Sequence, residues 1–217
     1  MLPISSIFNE LKKRNIPCTS IMHLGANHAQ GRKDYIDNGV KEILWVEAIP
    51  EFANYLSSEL PKSSDLVVQA VLSDNSGDIV KFNIASNRGM SSSVFEFKEH
   101  TKQYPHISME GQMSLVTMAL DDVFTSQQIA RDRYTVMIMD LQGSELRALR
   151  GATKILPHVF AVVAEVSCVE LYEGAPLESD VDRYMVDHGF SKVLAAYTEY
   201  QWGEALYIRE KGEAKAS

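Results

Sequence analysis

Cysteine is almost missing: Cys18 and Cys168 are the only 2 in 217 residues. Thiols this few and this far apart build no disulfide framework and fit no metal-site spacing. Long apolar runs are also missing. None reaches the ~18 residues that a membrane-spanning helix needs, and the opening Met1 to Ser6 has neither the basic start nor the long apolar stretch of a secretory signal. The cytoplasm is therefore the expected location. Positive charge is short, with 21 Lys and Arg against 29 Asp and Glu for a formal net charge of −8. No nucleic-acid partner is expected, because such a surface repels phosphates. The 6 histidines form no i,i+4 pair and no facial-triad spacing, so no metal is expected.

What the chain does carry is a strand–helix rhythm, with an ordinary 45% of hydrophobic residues. Ile4, Ile7, Phe8 and Leu11 recur at helical spacing and predict an amphipathic helix over 3–14, ended by Pro17. A strand over 18–24, a helix over 29–38, a strand over 42–47 and a helix over 50–60 follow, with Pro50 where its missing N–H costs nothing. Residues 66–72 are a third apolar run, 74–77 a turn and 79–85 a strand. The rhythm breaks over 86–113, a polar run Asn87 to Ser93 followed by His100, Tyr104, Pro105 and His106. An irregular stretch of this length reads as a substrate loop or lid, or more blandly as a surface excursion.

Regular patterns then resume, with a strand over 113–117, a helix over 119–130 and a strand over 136–139 that ends in Asp140. A helix over 144–156, a strand over 159–166 with Glu165 near its end and a helix over 178–188 stopped by Gly189 come next. Strands over 190–197 and 204–208 read as a hairpin around Trp202 and Gly203, and 211–217 as a frayed tail. No repeat or linker interrupts the chain, so residues 1–217 are expected to form one domain. Its class is α/β: a mostly parallel sheet with helices on both faces, to which the hairpin adds an antiparallel edge.

The chemistry should gather where strands end, because open α/β sheets bind ligands at the carboxyl ends of their strands. The first strand arrives at Gly25-Ala26-Asn27, a turn that leaves room for a ligand against bare backbone. The second ends in Glu47, 22 residues after Gly25, the spacing at which an acid takes both hydroxyls of a ribose. A dinucleotide site would want glycine where this chain has Asn27 and Gln30. One glycine followed by Ala and Asn suits a ligand without phosphate there, such as the amino-acid end of S-adenosylmethionine; a plain strand-to-helix turn is the alternative. Asp140, Gln142, Glu145, Glu165 and Ser167 fall at the ends of later strands. Any one of them reads equally as a cap or a surface acid, and their convergence on one edge is the stronger signal.

These residues carry a resemblance. His23-Leu24-Gly25-Ala26-Asn27, Trp45-Val46-Glu47-Ala48 and Ala70-Val71-Leu72-Ser73-Asp74 precede a more specific run, Met139-Asp140-Leu141-Gln142-Gly143-Ser144-Glu145-Leu146 with Leu149 and Gly151. Ala164-Glu165-Val166-Ser167, Leu171-Tyr172-Glu173-Gly174 and Trp202-Gly203-Glu204-Ala205-Leu206-Tyr207 follow. In these pieces the chain resembles the FkbM family of S-adenosylmethionine-dependent methyltransferases over nearly its whole length. The resemblance implies a class I methyltransferase sheet of seven strands. It implies that Gly25, Ala26 and Asn27 hold the methionine end of S-adenosylmethionine, that Glu47 takes the ribose, and that Ala48, Val71 and Leu72 flank the adenine. Family members act mainly as O-methyltransferases, often on sugars, glycans or natural products. Two departures are His23, where many members carry Asp, and Ala29, where many carry Gly. A neutral His23 still accepts one hydrogen bond from the cofactor, and Ala29 costs little if its backbone is helical.

The expected function is methyl transfer to a hydroxyl, with Asp140 as general base at the boundary between cofactor and acceptor. His100 and Glu165 are the alternative bases, and His100 reads equally as a surface-loop histidine. The expected partner is a small-molecule or glycan acceptor. Two other readings compete: a noncatalytic methyltransferase-like binding protein, and an NAD-dependent oxidoreductase that the missing glycines disfavour. The sequence carries no signal for an oligomeric state.

Overall fold

The computed structural model describes residues 2–210; the tail expected over 211–217 lies outside them. Helix α1 (Ile4–Lys13) turns Ile7, Phe8 and Leu11 inward, as their spacing predicts. Strand β1 (Ser20–Leu24), helix α2 (Arg32–Asp37), strand β2 (Glu42–Glu47), helix α3 (Pro50–Glu59) and strand β3 (Asp65–Gln69) form the first half of an α/β sheet. The chain then makes strands β4 (Val71–Leu72) and β5 (Ile79–Ala85), helix α4 (Glu99–Gln103) and strand β6 (Met109–Met118). Helix α5 (Leu120–Ser126), strand β7 (Val136–Met139), helix α6 (Glu145–Arg150), strand β8 (Ala161–Ser167) and helix α7 (Glu178–Asp187) return to the main sheet. Strands β9 (Phe190–Tyr197) and β10 (Trp202–Arg209) close it.

The main sheet has 7 strands in the order β3-β2-β1-β7-β8-β10-β9. Strands β3, β2, β1, β7 and β8 pair in parallel, and β10 runs antiparallel to both of its neighbours. The reversed strand is thus the penultimate one, and β9 forms the margin. Side chains alternate across the pleat. Met22, Leu24, Leu44, Val46, Met137 and Met139 face α5, α6 and α7. Ile21, Ile43, Trp45, Val136 and Ile138 face α1, α2 and α3. Strands buried on both faces must be apolar throughout, and burial of each Leu, Ile, Val or Phe contributes roughly 1.5–3 kcal/mol. Trp45 is fully buried, and its indole N–H donates to Asp65 Oδ1 at 2.7 Å. Burial pushes the Asp65 carboxyl up, but hydrogen bonds from Arg32, Trp45 and Ser64 outweigh that and hold it below the usual range. The Arg32–Asp65 pair ties α2 to the first residue of β3.

Several boundaries differ from expectation. The apolar run over 66–72 is two strands. Pairing of β3 with β2 ends at Gln69, and Val71–Leu72 pairs with Thr117 and Met118 of β6 in a second sheet of order β4-β6-β5. The strand expected over 113–117 belongs to that sheet and begins at Met109, so the irregular stretch is shorter than 86–113. It is also better ordered than a surface excursion. Ser91, Ser92 and Ser93 are buried, Ser93 bridges Asn83, and α4 lies within it. The helix expected over 29–38 starts only at Arg32, because Asn27 and Ala29 take φ of 44° and 54°. Ala29 is therefore left-handed, not helical, and its methyl carries a strain that glycine would avoid. The helix over 144–156 ends at Arg150, and that over 119–130 spans only Leu120–Ser126. The final hairpin turns over 198–201, and Trp202 and Gly203 already lie in β10.

Candidate active site

The carboxyl ends of β1, β2 and β7 share one edge, and a cavity of about 490 Å³ opens there. Its walls include the turn after β1, the end of β2, β4, Phe82 of β5 and Asp140 after β7. At Gly25 the chain has φ of 88°, and an added Cβ would sit 1.9 Å from the carbonyl oxygen of Asp140. The Cβ side of this glycine is thus filled by the end of β7, while the glycine itself still lines the cavity. Gly25 and Ala26 both donate their N–H to Val46 O, at 2.8 and 3.0 Å. Asn27 donates its N–H to Glu47 Oε2 at 2.7 Å, and Ile49 donates its own to Glu47 Oε1 at 2.7 Å. Glu47 therefore clamps the turn to the second strand. Burial raises its pKa above the ordinary carboxylate value, and the backbone donors partly offset the rise. Asn27 also donates its side-chain amide to Arg88 O at 3.3 Å, joining the turn to the loop after β5.

Of the candidate cofactor residues, His23, Gly25, Ala26, Asn27, Glu47, Ala48, Val71, Leu72 and Asp140 all line this cavity. Ile49 and Phe82 extend its apolar wall. The Nδ1 of His23 pairs with the Tyr35 hydroxyl at 2.9 Å, and burial lowers its pKa to about 4, so the ring is neutral at physiological pH. Sequence reasoning missed Tyr35 and Glu204 as wall residues. Glu204 lies on the reversed strand, where it accepts the N–H of Leu2 at 2.7 Å and closes the cavity against the start of α1. The resemblance includes Glu204 but assigns it no role, because only the sheet order brings β10 beside β8. Three carboxylates, Glu47, Asp140 and Glu204, line the cavity, and among the described residues no lysine or arginine does.

The expected bases separate. Asp140 is exposed, but its surface opens into the cavity. Desolvation raises its pKa, and a hydrogen bond from Gln142 Nε2 pulls in the other direction. Glu165 lies behind it, away from the large cavity, and accepts from the same Gln142 Nε2 at 3.1 Å. Burial first, then the charges of Asp140, Glu145 and Glu204, push Glu165 well above the ordinary carboxylate value. Burial likewise pushes Glu145 up to about 7, although it accepts the N–H of Leu141 at 2.7 Å and of Gly143 at 3.0 Å.

His100 does not line the cavity, which corrects both readings of it: it is neither a base in the site nor a surface histidine. Its ring stacks on Phe97 at 4.0 Å, packs beside Tyr104 and Tyr172, and meets the Ser91 hydroxyl at 3.1 Å through Nε2. The ring is buried, which lowers its pKa to about 4.

An open sheet of this order, with its reversed strand beside the margin and its cavity at the carboxyl ends, defines the class I methyltransferase fold. The chain belongs to the FkbM methyltransferase family, whose domain model matches residues 9–192. It is 25% identical over 175 residues to the 2-O-methyltransferase NoeI of Sinorhizobium fredii (strain NBRC 101917 / NGR234), covering 76% of this chain and 71% of that protein. Among solved structures it is similar in fold to magnesium protoporphyrin IX methyltransferase (ChlM) from Synechocystis PCC 6803 with bound SAH. The TM-score is 0.50 at 9% identity, over 95% of this chain and 82% of that one.

Proposed function

We propose that the chain is an S-adenosylmethionine-dependent O-methyltransferase that acts on a hydroxyl of a sugar, glycan or natural product. The observation that carries this reading is the gathering of the Gly25–Asn27 turn, Glu47 and Asp140 around one cavity whose charged groups are all carboxylates. A cavity of about 490 Å³ is of ligand size, and its acids complement a cationic sulfonium ligand. Each Glu47 oxygen holds one backbone N–H and keeps a lone pair for a ribose hydroxyl. Ala48, Val71 and Leu72, with Ile49 and Phe82, offer an apolar slot for a flat adenine. Neutral His23 leaves the cofactor's ammonium to the carboxylates.

Bound S-adenosylmethionine supplies an electrophilic methyl group. The protein must then hold an acceptor oxygen in line with it, an alignment worth about 7–11 kcal/mol in well-oriented systems. A carboxylate that takes the hydroxyl proton adds about 10²–10⁴-fold. Asp140 fits that role, because it is the carboxylate at the boundary of the cavity and its raised pKa makes it a better base than an ordinary aspartate. The segment over 86–108 supplies Met90, Ser92 and Val94 to the cavity wall and serves as the acceptor-side lid. Similarity to an O-methyltransferase supports oxygen as the methylated atom, and family membership favours methyl over hydride transfer. Calorimetric titration with S-adenosylhomocysteine, with NAD as control, tests the reading. Binding on the order of micromolar by the first alone is expected. Absence of S-adenosylhomocysteine binding would retire it in favour of a noncatalytic binding protein.

A further inference from the structure

Gln142 occupies an unusual position for its residue type. It has φ of 51°, the left-handed region, one residue after Leu141 and immediately before Gly143. Strain of this kind persists only where surroundings hold it. Here the holding groups are visible. Ser93 Oγ donates to the backbone carbonyl of Gln142 at 2.7 Å, the Tyr172 hydroxyl donates to Oε1, and Nε2 donates to both Asp140 Oδ1 and Glu165 Oε2. A primary amide has two N–H donors and one carbonyl acceptor, and all are used.

The orientation follows from the partners. Burial, and the carboxylates nearby, push the Tyr172 hydroxyl far above its ordinary pKa, so it stays protonated and has a hydrogen to donate. The amide oxygen must then face Tyr172, which turns both amide hydrogens towards the two acids. We infer that Gln142 is a positioning residue: its amide, anchored by Tyr172 and Ser93, aims the Asp140 carboxylate into the cavity and keeps it in its ionised, hydrogen-bond-accepting form. The inference rests on the methyl-transfer reading for what Asp140 does, but the charge-holding role stands on these contacts alone.

The need for such a residue comes from the neighbours. Glu47 of β2, Glu145 of α6, Glu165 of β8 and Glu204 of β10 surround Asp140, and His23, Tyr35 and Tyr172 add no positive charge. Desolvation favours the protonated carboxyl, which cannot accept a proton from a hydroxyl, and none of these neighbours opposes it. The one interaction that lowers the Asp140 pKa is the bond from Gln142. A glutamate at 142 would replace a donor with a further acid. A leucine would remove the donor and keep most of the volume.

The test is a carboxyl ¹³C NMR titration of the full chain with labelled aspartate, the Asp140 signal being assigned with Asp140→Asn. In Gln142→Leu the Asp140 midpoint should rise by about 1 pH unit or more, the loss expected of a hydrogen bond to a charged group. Tyr172→Phe frees the amide oxygen while leaving Gln142 in place, and should raise the midpoint by less. An unchanged midpoint in Gln142→Leu overturns the inference. If that variant does not fold, Tyr172→Phe decides in the same way. The titration needs neither cofactor nor acceptor, so a shifted midpoint in a protein that binds no S-adenosylhomocysteine would sink the methyl-transfer reading and leave the role of Gln142 standing. With turnover in hand, the acidic limb of the rate profile should move up with the midpoint; a merely structural role would lower the rate without moving the limb.

Discussion

The two halves of the cavity are held in different ways. On the β1–β2 side, backbone does the holding. Gly25 and Ala26 N–H groups donate to Val46 O, and Glu47 takes N–H groups from Asn27 and Ile49. On the β7–β8 side, side chains hold side chains: Gln142 links Asp140, Glu165 and Tyr172. Backbone clamps fix the path of the chain as well as lowering the pKa of the acid they hold, whereas a side-chain bridge between acids bears on which of them is charged and leaves the path of the strands alone. The first half should therefore fail by unfolding, and the second by losing reactivity in an intact fold.

Substitutions on the two sides break or sharpen that contrast. Gly25→Ala should have the largest effect, because its Cβ meets the Asp140 carbonyl and its φ is left-handed. A loss of about 2–5 kcal/mol of stability is expected, read as a lower urea midpoint. An unchanged midpoint would mean that β1 and β7 can part. Asp140→Asn should cut methyl transfer by about 10²–10⁴-fold while S-adenosylhomocysteine binds within several-fold of wild type. Turnover equal to wild type would remove Asp140 from the chemistry.

His100 sits behind the side-chain half and gives a pH signature. Its folded pKa of about 4 lies below the ordinary histidine value of 6.5, so the unfolded chain takes up a proton that the folded one refuses. Stability from this group is full above pH 6.5 and is lost as pH falls towards 4. Compared with His100→Gln, wild type should lose up to about 3 kcal/mol between pH 7 and pH 4. The raised carboxyls respond in the opposite sense, and that response cancels in the comparison of the two proteins. A pH-independent difference between them would show that His100 titrates normally. The smallest effect belongs to Ala29→Gly, which relieves a left-handed alanine at φ of 54°. A gain of up to about 1 kcal/mol is expected, and a lower melting temperature would show that the buried methyl outweighs the strain.

Much of this contrast is legible in the sequence. Glu47 and Gly25 could be found because both sit beside strand ends, where spacing along the chain maps directly onto spacing in the sheet. The acid after Met139 was legible for the same reason. Glu204 and Tyr35 were not, because their places in the cavity depend on partners 202 residues away for Glu204 and on a side-chain pairing with His23 for Tyr35. His100 shows the converse. Its residue type signalled chemistry, but tertiary packing against Phe97 and Tyr172 buries the ring away from the cavity.

By itself, the sequence determined the local order: which segments alternate as strands and helices, where the glycine turn falls and which acids end strands. Hydrophobic periodicity and turn chemistry act over a few residues and need no partner. The tertiary structure alone decided that 66–72 divides between two sheets, that Ala29 is left-handed, and that one glutamine holds two acids. Those outcomes depend on which strand ends pair and which charges meet in a shared low-dielectric space, and neither is encoded at short range.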